Sequence, residues 1–222
     1  MEPPRQDLFT PIHKAIRSMI YETGSILQSA DFRDYEEEQA ALKILGEHLK
    51  MLKSHGQHED NNIFNRLNEY DHETANIFFH EHNIIHKKYE SLTLHIKEML
   101  LSNTENKSEL ALKINRGFND FAAFYFSHMN KEEEIAIPST QKYFSDEELA
   151  EMRMKIQSSI PPDEYKVWMQ YMLPSLNNLE LTGLFKGLKL TAPAEVLERM
   201  TVIAEELIGS ERFEKIKREA EL

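Results

Sequence analysis

Cysteine is absent from the chain, which excludes disulfides, thiolate metal sites and thiol catalysis. Glycine and proline are scarce, at 7 and 8 of 222 residues. Leu, Glu, Lys, Met and Ala dominate instead, the balance of an all-helical soluble protein. Positive charge is in deficit: 26 Lys and Arg stand against 38 Asp and Glu, a formal net charge of -12. That deficit argues against nucleic acid and against an anionic membrane as partners. No stretch approaches about 18 uninterrupted apolar residues, and no apolar segment follows a basic start, so a cytoplasmic protein without a membrane span is expected. The length suits one generous domain, or a core domain with an appended piece.

What the chain does have is histidine, ten of them, all before residue 130. Four stretches carry apolar residues at the alternating spacing of three and four that marks one buried face of a helix. The first runs Phe9, His13, Ile16, Ile20, Thr23 and Leu27. The second, within a long helix from Tyr35 to about Tyr70, runs Ala41, Leu45, His48, Leu52, His55 and Glu59. Ala75, Phe79, His82, His86, Tyr89, Thr93, Ile96 and Leu100 make the third, and Ile114, Phe118, Phe121, Tyr125, His128, Glu132 and Ile135 the fourth. Turns are expected at Asp31 to Asp34, at Asp71 to Glu73 and across Ser102 to Ser108, with the fourth helix ending near Pro138. The predicted fold is all-α: an up-down-up-down four-helix bundle over residues 1–142, followed by a smaller helical extension over 143–222. The extension contains no histidine and holds the single tryptophan, Trp168.

Counted from the shared turns, the imidazoles and carboxylates on these seams fall at similar depths. A buried carboxylate beside an imidazole costs several kcal/mol unless it is neutralised, and a metal ion is a good neutraliser. The candidate ligands are therefore His13, His55, Glu59, His82, His86, His128 and Glu132. His58, His80 and Glu133 are alternatives or flanking groups, and His48, two turns from His55 on the same seam, is expected to pack or to support a ligand.

This set resembles the hemerythrin-like (HHE cation-binding) family, with a lone His on the first helix, His-x-x-x-Glu on the second, His-x-x-x-His on the third and a His followed by a carboxylate on the fourth. Pro11-Ile-His-Lys-Ala-Ile-Arg17, His55-Gly-Gln-His-Glu-Asp-Asn-Asn-Ile-Phe64 and His128-Met-Asn-Lys-Glu-Glu-Glu-Ile-Ala-Ile-Pro138 are similar to its signatures. The resemblance spans roughly residues 7–140. It implies two iron ions joined by an oxo or hydroxo bridge, although other divalent metals suit such donors. Five imidazoles, two bridging carboxylates and that bridge would leave about one of twelve coordination positions open. Dioxygen or nitric oxide could bind there, in a dry pocket lined by Ile16, Phe79, Tyr89, Phe121 and Tyr125. One departure is the last carboxylate: oxygen-carrying hemerythrins have an aspartate five residues after the histidine, whereas here Glu132 lies at four and Glu133 at five.

The resemblance points to a protein that binds or senses dioxygen, a related small ligand or iron, and no catalytic residue is assigned. Two other classes compete with it. A di-iron oxidase or peroxidase would prefer Glu-x-x-His pairs on two helices, and only Glu69-Tyr-Asp-His72 matches. A helical adaptor with an incidental metal site is the third class. For all of them, the C-terminal helices are the candidate surface for a protein partner or a second copy.

Overall fold

The computed structural model describes residues 5–102 and 106–222. Contacts divide it into two compact units, the first ending at Pro161 and the second running from Pro162 to Leu222. In the first unit α1 spans Thr10–Ser29, α2 Tyr35–Glu59, α3 His72–Leu101 and α4 Lys107–Lys131. Short polar side chains start the first three. Asp7 accepts the backbone N–H groups of Phe9 and Thr10, Asp34 those of Glu36 and Glu37, and Asp71 that of Thr74. Each satisfies donors that a helix start leaves free. The expected reversal at Asp71 to Glu73 thus ends at Asp71, because that side chain already caps α3. Of the predicted loop Ser102 to Ser108, residues 103–105 lie outside the described residues.

Each of the four helices packs on its neighbours in sequence, and the last returns to the first. The pairs run antiparallel. Phe9, His13 and Thr23 of the first helical stretch meet Phe64, His55 and His48 in descending order. Likewise Asp71, Glu81 and Lys88 meet Ser139, His128 and Asp120. The seams of α1 and α2 are buried as their spacing predicts.

On α3 the buried residues are Thr74, Ala75, Phe78, Glu81, Ile85, Leu92 and Met99. Apart from Ala75, this face is one residue, about 100°, away from the expected seam. Both registers carry enough apolar residues to look like a seam. Packing selects the one with Phe78, which stacks on Phe64 at 4.8 Å between ring centroids.

Two departures from α-helical winding share one position. After Glu59 and after Glu132 the chain makes a wide π turn, Asp60–Phe64 and Glu132–Ala136, and then resumes as α-helix over Asn65–Leu67 and Ile137–Tyr143. Each turn adds a residue to the helix without breaking it. The seam therefore continues through Ala136 and Thr140, which are buried, and leaves Ile135 37% exposed. The fourth helix runs on to Tyr143 rather than ending near Pro138. The inserted residue already interrupts the i to i-4 hydrogen bonds there, so the missing N–H of proline costs little.

A further helix, α5 (Asp146–Ser159), opens with a capping box formed by Ser145 and Glu148. It buries Leu149 and Met152 in a cluster with Phe9, Ile63, Phe64, Leu67 and Phe78. That burial ties α5 to the first compact unit, which ends at Pro161.

The second unit has four helices: α6 (Pro162–Ser175), α7 (Asn178–Thr191), α8 (Ala194–Ile208) and α9 (Ser210–Ala220). Gly209, at φ +82°, makes the sharp turn between the last two. Trp168, Leu173, Leu181, Phe185, Phe213 and Ile216 form its interior. Among the described residues, no helix is long and apolar enough to cross a membrane.

Candidate metal centre

Six side chains from all four bundle helices converge at one level: His13 from α1, His55 and Glu59 from α2, His82 from α3, His128 from α4, and Glu132 from the first residue of the π turn that follows it. They form two groups that share Glu59 and are able to chelate metal, His13, His55 and Glu59, and Glu59, His82, His128 and Glu132. His13 and Glu132 are 0% exposed.

The distances show how the carboxylates are turned. Oε1 of Glu59 lies 3.1 Å from His55 Nε2 and 3.8 Å from His13 Nε2, while Oε2 lies 3.5 Å from His82 Nε2. Oε2 of Glu132 lies 3.2 Å from His13 Nε2, while Oε1 lies 3.2 Å from His128 Nε2 and 3.8 Å from His82 Nε2. Each carboxylate thus offers one oxygen to the His13/His55 pair and the other to the His82/His128 pair. Nε2 of His82 and Nε2 of His128 are 3.1 Å apart. Donors bound at about 2.1 Å to one ion stand about 3 to 3.5 Å from one another, so the spacing fits two adjacent cations. His13 Nε2, Glu59 Oε2 and both oxygens of Glu132 are buried and make no hydrogen bond among the described residues. Buried polar atoms are normally satisfied, and cations would satisfy these.

The outward nitrogens are held by carboxylates. Nδ1–H of His13 donates to Glu133 at 3.0 Å, that of His82 to Asp60 at 2.6 Å, and that of His128 to Glu81 at 3.0 Å. Arg17 in turn binds Glu133, and Lys131 binds Glu81. Such carboxylate–imidazole pairs fix the tautomer and the ring orientation of a metal ligand. Asp60 and Glu81 stand in stretches similar to the family's signatures, although the spacing assigns them no role. Their signal was nonetheless present, since each is adjacent in sequence to a chelating residue, Glu59 and His82.

Burial opposes charge on these groups, and their mutual contacts overcome it. Desolvation pulls the His13 imidazole down, but the close carboxylates of Glu132, Glu133 and Glu59 carry it well above the ordinary histidine value. His82 is pushed up to about 10 by Asp60 and Glu59 against the same desolvation. Glu59 lies well below the carboxylate range, because the attraction of His55 and the nearness of the His13 imidazole outweigh its burial. Without a cation the cluster stores protons on imidazoles, and a metal would have to displace them.

The other candidates fall elsewhere. His86 is on the solvent side of α3, its side chain 47% exposed and 3.6 Å from Glu90, because the seam of that helix is displaced by one residue. His58 is near Ser54 and Ser159, and His80 is exposed. His48 is buried with Nδ1 2.6 Å from the Thr23 hydroxyl, and burial lowers its pKa. Glu133 faces the outer nitrogen of His13. Phe79, Tyr89, Phe121 and Tyr125 line a cavity of 440 Å³ between α2 and α3. Ile16 is fully buried in the core and is not part of that lining.

No family model matches the chain. F-box/LRR-repeat protein 5 of Xenopus laevis is 25% identical to it over 199 residues, 89% of this chain and 26% of that protein. The Xenopus tropicalis and Mus musculus proteins of the same name are each 27% identical over 154 and 157 residues, 69% of this chain and 22% of their own length. The chain therefore spans about a quarter of the length of the curated relatives it matches.

Proposed function

We propose that the first unit is a hemerythrin-like module that binds two iron ions and, through them, binds or senses dioxygen, a related small ligand or iron itself. One observation carries this reading: two buried carboxylates each divide their oxygens between two pairs of imidazoles. A mononuclear site has no use for that division. His13 and His55 would hold one ion, His82 and His128 the other, with Glu59 and Glu132 bridging. Four imidazoles and two carboxylates form a borderline donor set that suits ferrous iron, with zinc, manganese and cobalt as competitors. Iron bound there supplies reversible redox chemistry and affinity for small diatomic ligands. The residues around it keep the imidazoles oriented and exclude water.

A binding or sensing role is favoured over an oxidase. Imidazole-rich ligation leaves the ferrous state accessible, whereas carboxylate-rich ligation favours ferric iron. That similar sequence occurs within much longer proteins named F-box/LRR-repeat protein 5 supports a portable binding module rather than a self-contained enzyme.

Metal analysis combined with the visible spectrum of anaerobically reduced protein, before and after air, tests the reading. The expected result is about two irons per chain and a charge-transfer band that comes and goes with oxygen or nitric oxide. Failure to take up iron under reducing conditions would overturn it.

A further inference from the structure

Resting on the two-ion reading, we propose that small exogenous ligands reach the ion held by His82 and His128, and that Gly56 keeps their approach open. The two halves of the cluster have like donors but unlike surroundings. His13 is fully buried, its ring 5.8 Å from Phe9 and its outer nitrogen closed off by Glu133 and Arg17. His82 instead lines the 440 Å³ cavity between α2 and α3, and none of the other five donor residues does. A third imidazole that would have crowded this half is missing, since His86 turns outward to Glu90.

Gly56 is a poor residue for the interior of α2, because glycine loses more backbone entropy on folding than any other residue. Its position gives a reason. A Cβ there would stand 3.6 Å from His82 Nε2, the nitrogen aimed at the cluster, whereas at Gly46 on the same helix a Cβ would meet nothing within 4 Å. Alanine therefore fits at position 56, and a longer side chain would lie across the face of His82 and into the cavity. The cavity floor of Leu49, Leu52, Phe121 and Tyr125 is apolar, while Lys53, Gln57, Asn83 and His86 stand among its polar lining. Asp60 is the carboxylate there, and it is committed to His82. An apolar floor with cationic and amide groups around it suits a diatomic or a small monoanion that binds through an end atom.

The test uses the iron-loaded full chain and sodium azide, followed by stopped-flow absorption of the azide charge-transfer band. Gly56→Leu is expected to slow azide association by about tenfold or more, with Gly56→Ala close to wild type. Lys53→Glu, a substitution away from the buried core, is expected to slow it in a salt-dependent way. Unchanged rates in both Gly56→Leu and Lys53→Glu, with iron content retained, would overturn this proposal and leave the metal site standing. The same holds if the wild-type chain carries two irons and never binds azide. If Gly56→Leu loses its iron, the Lys53→Glu rate decides. A wild-type chain that takes up no iron overturns the site reading and this proposal together.

Discussion

The two compact units bury different things. In the second, Thr182 is the buried polar residue, bonded to Glu219, and the rest of the interior is apolar, with Trp168, Leu173, Leu181, Phe185, Phe213 and Ile216 among it. In the first, the middle of the bundle encloses His13, His55, Glu59, Glu81, His128 and Glu132. A buried Leu or Phe contributes about 1.5–3 kcal/mol to folding. A buried charge contributes nothing until its counter-charge is in place. The second unit therefore closes its core with apolar contacts, whereas the first encloses charges that have to be matched against one another.

Removing metal should give the largest contrast. Each ion held at about a thousandfold above its Kd adds about 4 kcal/mol, so chelation is expected to lower hydrogen-exchange protection in α1 to α4 and leave α6 to α9 unchanged. Equal loss in both units would break the comparison. Next in size is Glu132→Leu. With a bridging charge replaced by an apolar side chain, dinuclear binding should disappear, and the metal-free chain should lose about 3–5 kcal/mol in urea titration, because His13 and His128 are left without a buried counter-charge. Glu81→Ala, which frees the outer nitrogen of His128, should weaken metal affinity by about 10- to 100-fold in competition titrations. His86→Ala should not change it.

The smallest effect concerns acid. Ser139 and Thr74 hold the Asp71 carboxyl below its ordinary range. The stabilisation this gives α3 is complete above the unfolded-state pKa and is lost as pH falls through the lowered one. Asp71→Ala should thus cost about 1 kcal/mol near neutrality and progressively less as the pH falls below the unfolded value of about 3.9.

Much of this contrast is legible in the sequence. Spacing alone puts His13, His55, Glu59, His128 and Glu132 on seams, and the absence of histidine after His128 marks the chain beyond Pro161 as a different kind of core. The third helix was the weak point. Phe79, Tyr89 and Ile96 make as good a stripe as Phe78, Ile85 and Leu92, and only packing against Phe64 separates them. Taking His82 and His86 as a pair drew the reading toward the wrong stripe. The fold of the bundle survived that error because a rotation of one residue alters which side chains face inward without altering the number or direction of the helices. Spacing assigns the supporting carboxylates Asp60 and Glu81 no role for a related reason: each lies beside a seam position, where a charged residue reads as solvated until the neighbouring helix is in place.

The paired wide turns after Glu59 and Glu132 act as phase shifters. Within and beyond each one, the helix presents to the core residues that uninterrupted winding would have swung away, among them Ile63, Leu67, Ala136 and Thr140, all buried. The bundle can in this way keep two rhythms at once, one that sets imidazoles and carboxylates around a common centre and another that closes the hydrophobic end beside α5. A single-residue deletion in either turn would force both rhythms onto one clock, and the site or the end of the bundle would have to fall out of step.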